Sequence, residues 1–292
     1  MDTARYRALL AAAETGSLSR AAERLHYTPS GVSQLIDALE RDLGFALLSR
    51  SRRGVELTHA GQRLLPIFRE LLRQEEVLLQ TADRLRGLET GTVRIGTYPS
   101  IGRIWLPRVI RDFQQKHPKI EILVVEGIWQ ELHEQLKQRK LDLAFLSDSQ
   151  PVELEWIPLA EDPMLAILPM EHPLAGEAAY PLERCQQESF IMPAMGQDVD
   201  VTALLRRHGL TPEIRVVTME NPSVLAMIEL GMGMSIMNEL ITENWQYQVA
   251  KLPLDPPESI TLGAALPSVE EASPAAREFL REAVRACGGR KT

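Results

Sequence analysis

Two stretches near the start of the chain decide the fold: GSLSRAAERL at 16–25 and TPSGVSQLI at 28–36. Thr28 followed by Pro29 predicts the start of a helix, because proline has no N–H to leave unpaired in the first turn. The paired alanines at 21–22 are small enough to let the preceding helix cross this one closely. The two stretches therefore predict a helix-turn-helix, whose second helix begins at residue 29.

Polar side chains occupy the outward face of that second helix. Ser30, Ser33, Gln34 and Asp37 fall on the side away from its apolar positions. In a helix-turn-helix this face enters the major groove, so we expect these four residues to meet base edges or phosphates of double-stranded DNA. Ordinary solvated polar side chains are the alternative.

An arginine-rich turn follows the helix-turn-helix, between two apolar runs in the segment 45–57. This pattern is typical of a two-stranded wing. We expect Arg50 and Arg53 in the turn to contact phosphates or the minor groove. A solvated run of charges is the alternative.

The charge of the chain is unevenly divided. The 292 residues carry a net charge of −8, which by itself argues against nucleic-acid binding. Residues 1–87, however, hold 13 Lys+Arg against 11 Asp+Glu, whereas residues 88–292 hold 19 against 29. The acidity belongs to the C-terminal part, so the N-terminal part can meet an anionic partner.

Composition also indicates the compartment. The sequence has 45% apolar and 25% charged residues, typical values for a globular protein, and its length favours two domains. No apolar run reaches the roughly 18 residues that span a bilayer, and the first residues lack the order of a signal peptide. Cys185 and Cys287 suggest no disulfide framework. We therefore expect a cytoplasmic protein that makes no membrane contact.

A long helix is predicted over 58–87, with an apolar stripe along one side. The stripe alternates steps of four and three with one polar exception, and its dimerisation candidates are Leu64, Phe68, Leu71, Leu78 and Leu85. One helix cannot bury such a stripe alone. The sequence therefore predicts a partner helix from a second subunit, with packing on the chain's own domains as the alternative.

Beyond residue 91 the pattern changes to short apolar strands that alternate with helices, as in an α/β fold with a mainly parallel sheet. A first set has strands at 93–98, 120–126 and 141–147, with helices at 101–117 and 129–140 between them. A second set begins at residue 164, and a further strand is predicted at 260–266. We expect two α/β subdomains joined by two crossing strands, near 161–163 and 266–268.

The N-terminal residues resemble the signature of the LysR-type transcriptional regulators. The matching patterns are GSLxxAAxxL at 16–25, PSxVSxxIxxLExxLG at 29–44 and LLxRxxRxxxLTxAG at 47–61. Downstream, VRIG at 93–96, LDLA at 141–144 and LGMG at 230–233 resemble the effector domain of that family. The resemblance covers essentially the full length.

The resemblance implies an α+β multidomain protein that acts as a homodimer or homotetramer. Its C-terminal domain would be of the type 2 periplasmic-binding-protein kind. The implied domains are a winged helix-turn-helix at 1–58, a linker helix at 59–88 and an effector domain at 89–292, with subdomain I at 89–162 and 267–292 and subdomain II at 163–266.

A small-molecule site is expected where strands end and helices begin. The resemblance places the family's effector there, with Ser100 at its most frequent polar contact. Helix capping is the alternative for Ser100 and Asn221. The predicted effector contacts are Tyr98, Ser100, Ile101, Ile128, Met195, Asp198, Asn221 and Met237.

The charged residues near these junctions suggest the effector's chemistry. Glu126, Asp198 and Asp200 could hold an amine, whereas Arg103 could complement a carboxylate. An amino acid or an organic acid is therefore expected.

The sequence shows no catalytic constellation. Its six histidines are scattered, and Ser235 lacks the glycine two places on that a nucleophile elbow needs. We therefore predict a non-enzyme with no metal or cofactor. Two other classes remain open: a periplasmic-type ligand-binding protein or an α/β enzyme, each with the N-terminal helices as a dimerisation arm.

Overall fold

The computed structural model describes residues 2–51, 54–85, 90–150 and 153–288. The chain divides into two compact units, one of residues 1–88 with Gln138–Lys140 and one of residues 89–137 and 141–292. The elements of the first unit are α1 (Thr3–Thr15), α2 (Leu18–Leu25), α3 (Pro29–Leu43), β1 (Leu48–Ser51), β2 (Gly54–Leu57) and α4 (His59–Leu85).

Local sequence sets the start of α3. The Thr28 side chain accepts a hydrogen bond from the Gly31 N–H at 3.1 Å, and Pro29 occupies the first turn. Ala21 and Ala22 are buried where α2 packs on α3 through Val32. The prediction of a helix-turn-helix is confirmed.

The wing is held against both of its helical neighbours. Strands β1 and β2 are antiparallel, and Glu40 of α3 accepts hydrogen bonds from the backbone N–H groups of Leu47 and Leu48 at 2.6 and 2.9 Å. Gly61 lets α4 approach closely, since an added Cβ would lie 2.2 Å from the Leu47 carbonyl oxygen. The position of the wing beside α3 is thus fixed by hydrogen bonds from its backbone to the Glu40 carboxylate.

The second unit is an α/β structure. Short 3-10 helices lie at Leu182–Gln187 and Ala194–Gly196. The main elements are β3 (Gly91–Thr97), α5 (Pro99–Ile104), α6 (Leu106–Lys116), β4 (Ile120–Glu126), α7 (Trp129–Lys137), β5 (Leu143–Ser147), β6 (Glu155–Pro169), β7 (Tyr180–Pro181), β8 (Ser189–Met192), α8 (Val199–Arg207), β9 (Glu213–Val217), α9 (Asn221–Glu229), β10 (Ser235–Asn238), α10 (Glu239–Thr242), β11 (Val249–Asp255), β12 (Ser259–Leu266) and α11 (Pro274–Cys287).

One long strand joins the two halves of this unit. The sheet order is β4-β3-β5-β12-β6-β11-β7, and β10 also pairs with β6. The first part of β6 pairs with β12, whereas its last residues pair with β10 and β11. Strands β3, β4 and β5 are parallel to one another, as predicted.

The strand pairing corrects one predicted boundary. The predicted subdomain II spans 163–266, but β12 pairs antiparallel with β5, and Ala265 faces Ala144. Strand β12 therefore belongs to the first half, and the second crossing lies before residue 259 instead of at 266–268. The alternation of apolar residues identified the strand but could not indicate its neighbours.

Candidate functional site

The outer surface of α3 carries the four polar residues singled out by the sequence. Ser30 and Gln34 are exposed, and Ser33 and Asp37 are half-buried. The opposite face is fully buried through Val32, Ile36 and Leu39. All four side chains therefore lie on one side of the helix and off the core, as a groove-binding helix requires.

Arg50 of the wing reaches this surface. Its guanidinium donates hydrogen bonds to Ser33 Oγ at 2.9 Å and to Asp37 Oδ1. The wing and α3 thus present one continuous polar surface, which we call the reading surface (Ser30, Ser33, Gln34, Asp37 and Arg50). Arg53, the other predicted wing contact, lies outside the described residues.

The apolar stripe of α4 divides into a buried and an exposed part. Phe68 is buried and stacks on Tyr6 of α1, with ring centroids 5.0 Å apart, and Leu64 packs against the same core. Leu71 and Leu78 are 43% and 68% exposed. The side chain of Leu85 lies outside the described part of the chain.

Phe68 therefore fills the core of its own chain, and its assignment to a dimer contact is wrong. The reason is that α1 covers the first turns of α4. The exposed apolar row runs instead through Ile67, Leu71 and Leu78, with Leu79 beside it.

The second unit contains a cavity of about 500 Å³. It lies where β3 and β4 end and where α5, α7, α8 and α9 begin, the position at which α/β sheets bind ligands. This volume suits a small organic molecule. The lining residues are Tyr98, Pro99, Ser100, Arg103, Glu126, Gly127, Ile128, Trp129, Glu131, Ala194, Gln197, Asp198, Val199, Asp200, Met219, Glu220, Asn221, Pro222, Asn238, Ile241 and Trp245.

Five of the predicted effector contacts line this cavity, and they come from all four strand-to-helix junctions. They are Tyr98, Ser100, Ile128, Asp198 and Asn221.

Three predicted contacts do not line the cavity. The side chains of Ile101, in α5, and Met237, in β10, are both buried in the core. Met195 is exposed at the surface, in a turn with φ 51°, and Ala194 lines the wall in its place. A position within a junction therefore did not suffice, since neighbouring side chains point in different directions.

Trp245 is a wall residue that sequence reasoning missed. It follows α10 in an irregular segment that carries no motif. The Arg103 guanidinium lies 4.1 Å from the centroid of the Trp245 ring and donates to the Ile241 carbonyl at 3.0 Å. A cation–π contact of this kind holds the arginine at one end of the cavity.

Another part of the wall is acidic. Ser147 donates a hydrogen bond to Asp200 Oδ1 at 2.5 Å, and the Tyr98 hydroxyl lies 3.1 Å from Ser147 Oγ. Asp198 caps α8 by accepting from the backbone N–H groups of Asp200 and Val201, both at 3.0 Å.

Burial governs the protonation of this pair. Loss of water raises the pKa of Asp200 to about 7, with the Asp198 carboxylate as the second cause, and burial also raises the pKa of Asp198. Two carboxylates close together and away from water resist double ionisation. A positively charged group of a ligand would therefore stabilise the ionised form of this pair.

Two helix ends around the cavity have backbone N–H groups without a side-chain cap. Helices α5 and α9 begin after Tyr98 and Glu220, neither of which makes a side-chain capping hydrogen bond. Ser100 and Asn221 lie inside these helices, so neither is the N-cap that the alternative interpretation required. Asn221 Oδ1 is buried with no hydrogen-bond partner.

Other functional chemistry receives little support. Both cysteines are buried, and burial raises the pKa of Cys185 to about 11, which disfavours a reactive thiolate. Within the described ranges no cluster of three or more His, Cys, Asp or Glu side chains could hold a metal ion. No helix in those ranges is both long and apolar enough to cross a membrane.

The helix-turn-helix unit and the α/β unit with its cavity define a transcriptional regulator with separate DNA-binding and effector-binding parts. Residues 3–62 match the model of the bacterial regulatory helix-turn-helix protein of the lysR family, and residues 86–288 match the LysR substrate binding domain. The chain belongs to the LysR family of transcriptional regulators.

Individual proteins show the same likeness. The uncharacterized HTH-type transcriptional regulator YvbU from Bacillus subtilis (strain 168) is 34% identical over 274 residues, 93% of this chain and 94% of YvbU. Full-length OxyR from Pseudomonas aeruginosa, in a substituted form, has a TM-score of 0.78 at 22% identity, over 98% of this chain and 95% of OxyR. The effector binding domain of QuiR in complex with shikimate has a TM-score of 0.59 at 22% identity, over 68% of this chain and 97% of that domain. The two structures show the fold alone.

Proposed function

We propose that the protein binds specific DNA sequences as a dimer or tetramer in the cytoplasm, and that a small molecule in the cavity controls this binding without being converted. The observation that carries the proposal is the reading surface, where the side chains of α3 and the wing lie together on one exposed side of the first unit. The family membership supports it independently.

DNA reading is divided between two elements. Helix α3 enters the major groove, where Ser30, Ser33 and Gln34 meet base edges. Arg50 of the wing contacts the DNA beside this helix. Because phosphate contacts release counterions, we expect affinity to fall steeply with salt concentration.

Selection of the DNA sequence that the protein prefers, its operator, tests this function. The full-length protein would be used to select bound sequences from a random DNA pool. We expect an interrupted palindrome whose half-sites lie about one helical turn apart, since a two-fold dimer presents two reading surfaces. Recovery of sequences with no shared pattern would refute sequence-specific binding.

The exposed row on α4 is the proposed dimer contact. Leu78→Glu should place a charge in this apolar contact and weaken self-association at least tenfold, with little change in the stability of the first unit, because Leu78 is 68% exposed within one chain. Sedimentation velocity over a concentration series measures the change. Gln62→Glu, at an exposed position on the opposite side of the same helix, is the matched control. Unchanged association of the Leu78 variant would exclude this contact.

The cavity is the proposed effector site. An effector that prefers one arrangement of the two halves of the unit shifts its population, typically by 1–3 kcal/mol of coupling, and thereby changes DNA binding. Asp198 and Asp200 provide a place for an amine, and Arg103 provides one for a carboxylate. An amino acid or an organic acid suits this lining, and the QuiR domain is bound to shikimate.

A thermal-shift screen of amino acids and organic acids tests the site. We expect at least one compound to raise the melting temperature of the wild-type protein. The Ser100→Ala variant should lose about tenfold in affinity for it, because the Ser100 hydroxyl is a polar group on the cavity wall. Gly176→Ala, at a position where an added Cβ meets nothing within 4 Å, is the control. Equal binding by both variants would place the compound elsewhere.

A further inference from the structure

Ser33, Asp37 and Arg50 form a closed hydrogen-bond network on the reading surface. Arg50 donates through Nη1 to Ser33 Oγ at 2.9 Å and through Nη2 to Asp37 Oδ1. Ser33 in turn donates to Asp37 Oδ2 at 3.2 Å. Each side chain is thus held by the other two, and the network joins the wing to α3.

This network contributes little to stability. The side chains of Arg50 and Asp37 are each 41% exposed, and ion pairs at such sites typically contribute about 0–1 kcal/mol. The first unit also has a second connection between α3 and this segment, since the Glu40 carboxylate accepts from the backbone N–H groups of Leu47 and Leu48. The fold therefore does not need the Asp37–Arg50 pair, which suggests a role in recognition.

Asp37 lowers the affinity of this surface for DNA of any sequence. A carboxylate on a groove-facing surface repels phosphates and neutralises the nearest arginine. A guanidinium fixed in one orientation, however, presents its planar set of donors to a base edge with less loss of side-chain freedom than a mobile one. The same carboxylate that lowers general affinity can thus raise discrimination.

We propose that Asp37 is a positioning residue for DNA specificity: it holds Arg50 beside α3 so that the guanidinium contacts base edges there, and it prevents Arg50 from binding phosphates of unrelated DNA. The inference rests on the proposed function, because it assumes that α3 and the wing meet DNA. Release of Arg50 should strengthen binding to random-sequence DNA and weaken the preference for the operator.

The chain offers a matched control on the same helix. Asp42 is also a half-exposed carboxylate of α3 paired with an arginine, Arg5, at 2.5 Å. It lies five residues beyond Asp37, about 7.5 Å further along the helix axis. Asp42→Ala therefore removes the same charge from α3 without releasing Arg50.

Fluorescence anisotropy at several salt concentrations, on the selected operator and on a random-sequence duplex, tests the proposal. We expect Asp37→Ala to bind the random duplex about three- to tenfold more tightly, with a salt slope steeper by about 0.9, one added phosphate contact. Its operator-to-random affinity ratio should fall at least tenfold. Asp37→Glu should restore the wild-type ratio, and Asp42→Ala should keep it.

A double-substitution cycle shows whether Asp37 acts through Arg50. In an Arg50→Ala background, the effect of Asp37→Ala should shrink to that of Asp42→Ala. Equal effects of Asp37→Ala with and without Arg50, or an unchanged affinity ratio, would overturn the proposal. Asp37→Asn repeats the test if the alanine variant fails to fold. If the wild-type protein prefers no sequence, the proposed function itself fails, an outcome distinct from an operator preference that Asp37→Ala leaves intact.

Discussion

The double variant Ser33→Ala, Arg50→Ala should bind the selected operator about 100-fold or more weakly than the wild-type protein. Each well-placed contact with a base edge or a phosphate contributes roughly 1–3 kcal/mol, and the two side chains act from different elements, the helix and the wing. The loss should be separable. Arg50→Ala alone should weaken binding to every operator variant but change binding to random-sequence DNA little, because Asp37 keeps the guanidinium from unrelated phosphates, whereas Ser33→Ala alone should change the preference among operator variants. Gel-shift titrations at fixed salt concentration measure both.

The first unit contains a matched control for this experiment. Thr3 and Arg7 both donate to Glu75, at 2.8 and 2.7 Å, so they form a hydroxyl–arginine–carboxylate network like that of the reading surface, but on α1 and α4. The variant Thr3→Ala, Arg7→Ala removes the same groups and the same charge. It should bind the operator within about threefold of wild type. Equal losses for the two double variants would mean that general charge, and not the reading surface, governs binding.

The Asp200→Asn variant should gain stability relative to wild type as the pH rises from 5 to 8. The pKa of Asp200 is about 7 in the folded protein, whereas the ordinary value of an aspartate, which we take for the unfolded chain, is 3.8. Between these values the unfolded chain releases the proton while the native state keeps it, so the native state loses stability as pH rises through this window. At about 1.4 kcal/mol per pKa unit the cost above pH 7 is a few kcal/mol.

Asparagine removes this cost, since it is neutral at every pH and its amide oxygen can still accept from Ser147. Melting curves at pH 5 and pH 8 measure the effect, and we expect the difference in melting temperature to grow by several degrees. Glu126→Gln, which removes an exposed carboxylate that also lines the cavity, is the matched control. A constant difference between Asp200→Asn and wild type would contradict the buried, proton-retaining state of this aspartate.

The first unit could be predicted almost completely because its signals are local. A cap at Thr28, a proline after it and small residues at 21–22 act within one or two turns, and they fix the helix bounds and the crossing. The hydrogen bonds of Arg50 to α3 could not be predicted in this way, because they join residues 13 to 17 positions apart across the wing.

The second unit shows where local signals end. Strand β12 was recognised but placed in the wrong half, since pairing with β5 depends on partners more than a hundred residues away. Helix α6 begins separately from α5 because Pro107 cannot continue the hydrogen bonding of α5, which the predicted single helix at 101–117 ignored. Trp245 lies on the cavity wall only because the chain folds back after α10.

The stripe on α4 illustrates a different limit. Phe68 and Leu78 have the same periodicity, so the sequence assigned both to a partner subunit. The structure separates them, because α1 covers Phe68 and leaves Leu78 exposed. Periodicity shows that one face of a helix is apolar and must be buried, but it does not show which element buries it.

Genome-wide mapping of the DNA bound by the protein in its host would show whether it binds specific sequences through the reading surface. We expect a small set of reproducible sites that share one interrupted palindrome, and that disappear for the Ser33→Ala, Arg50→Ala protein expressed at the same level. Sites that persist with the double variant, or the absence of any shared sequence among them, would contradict this expectation.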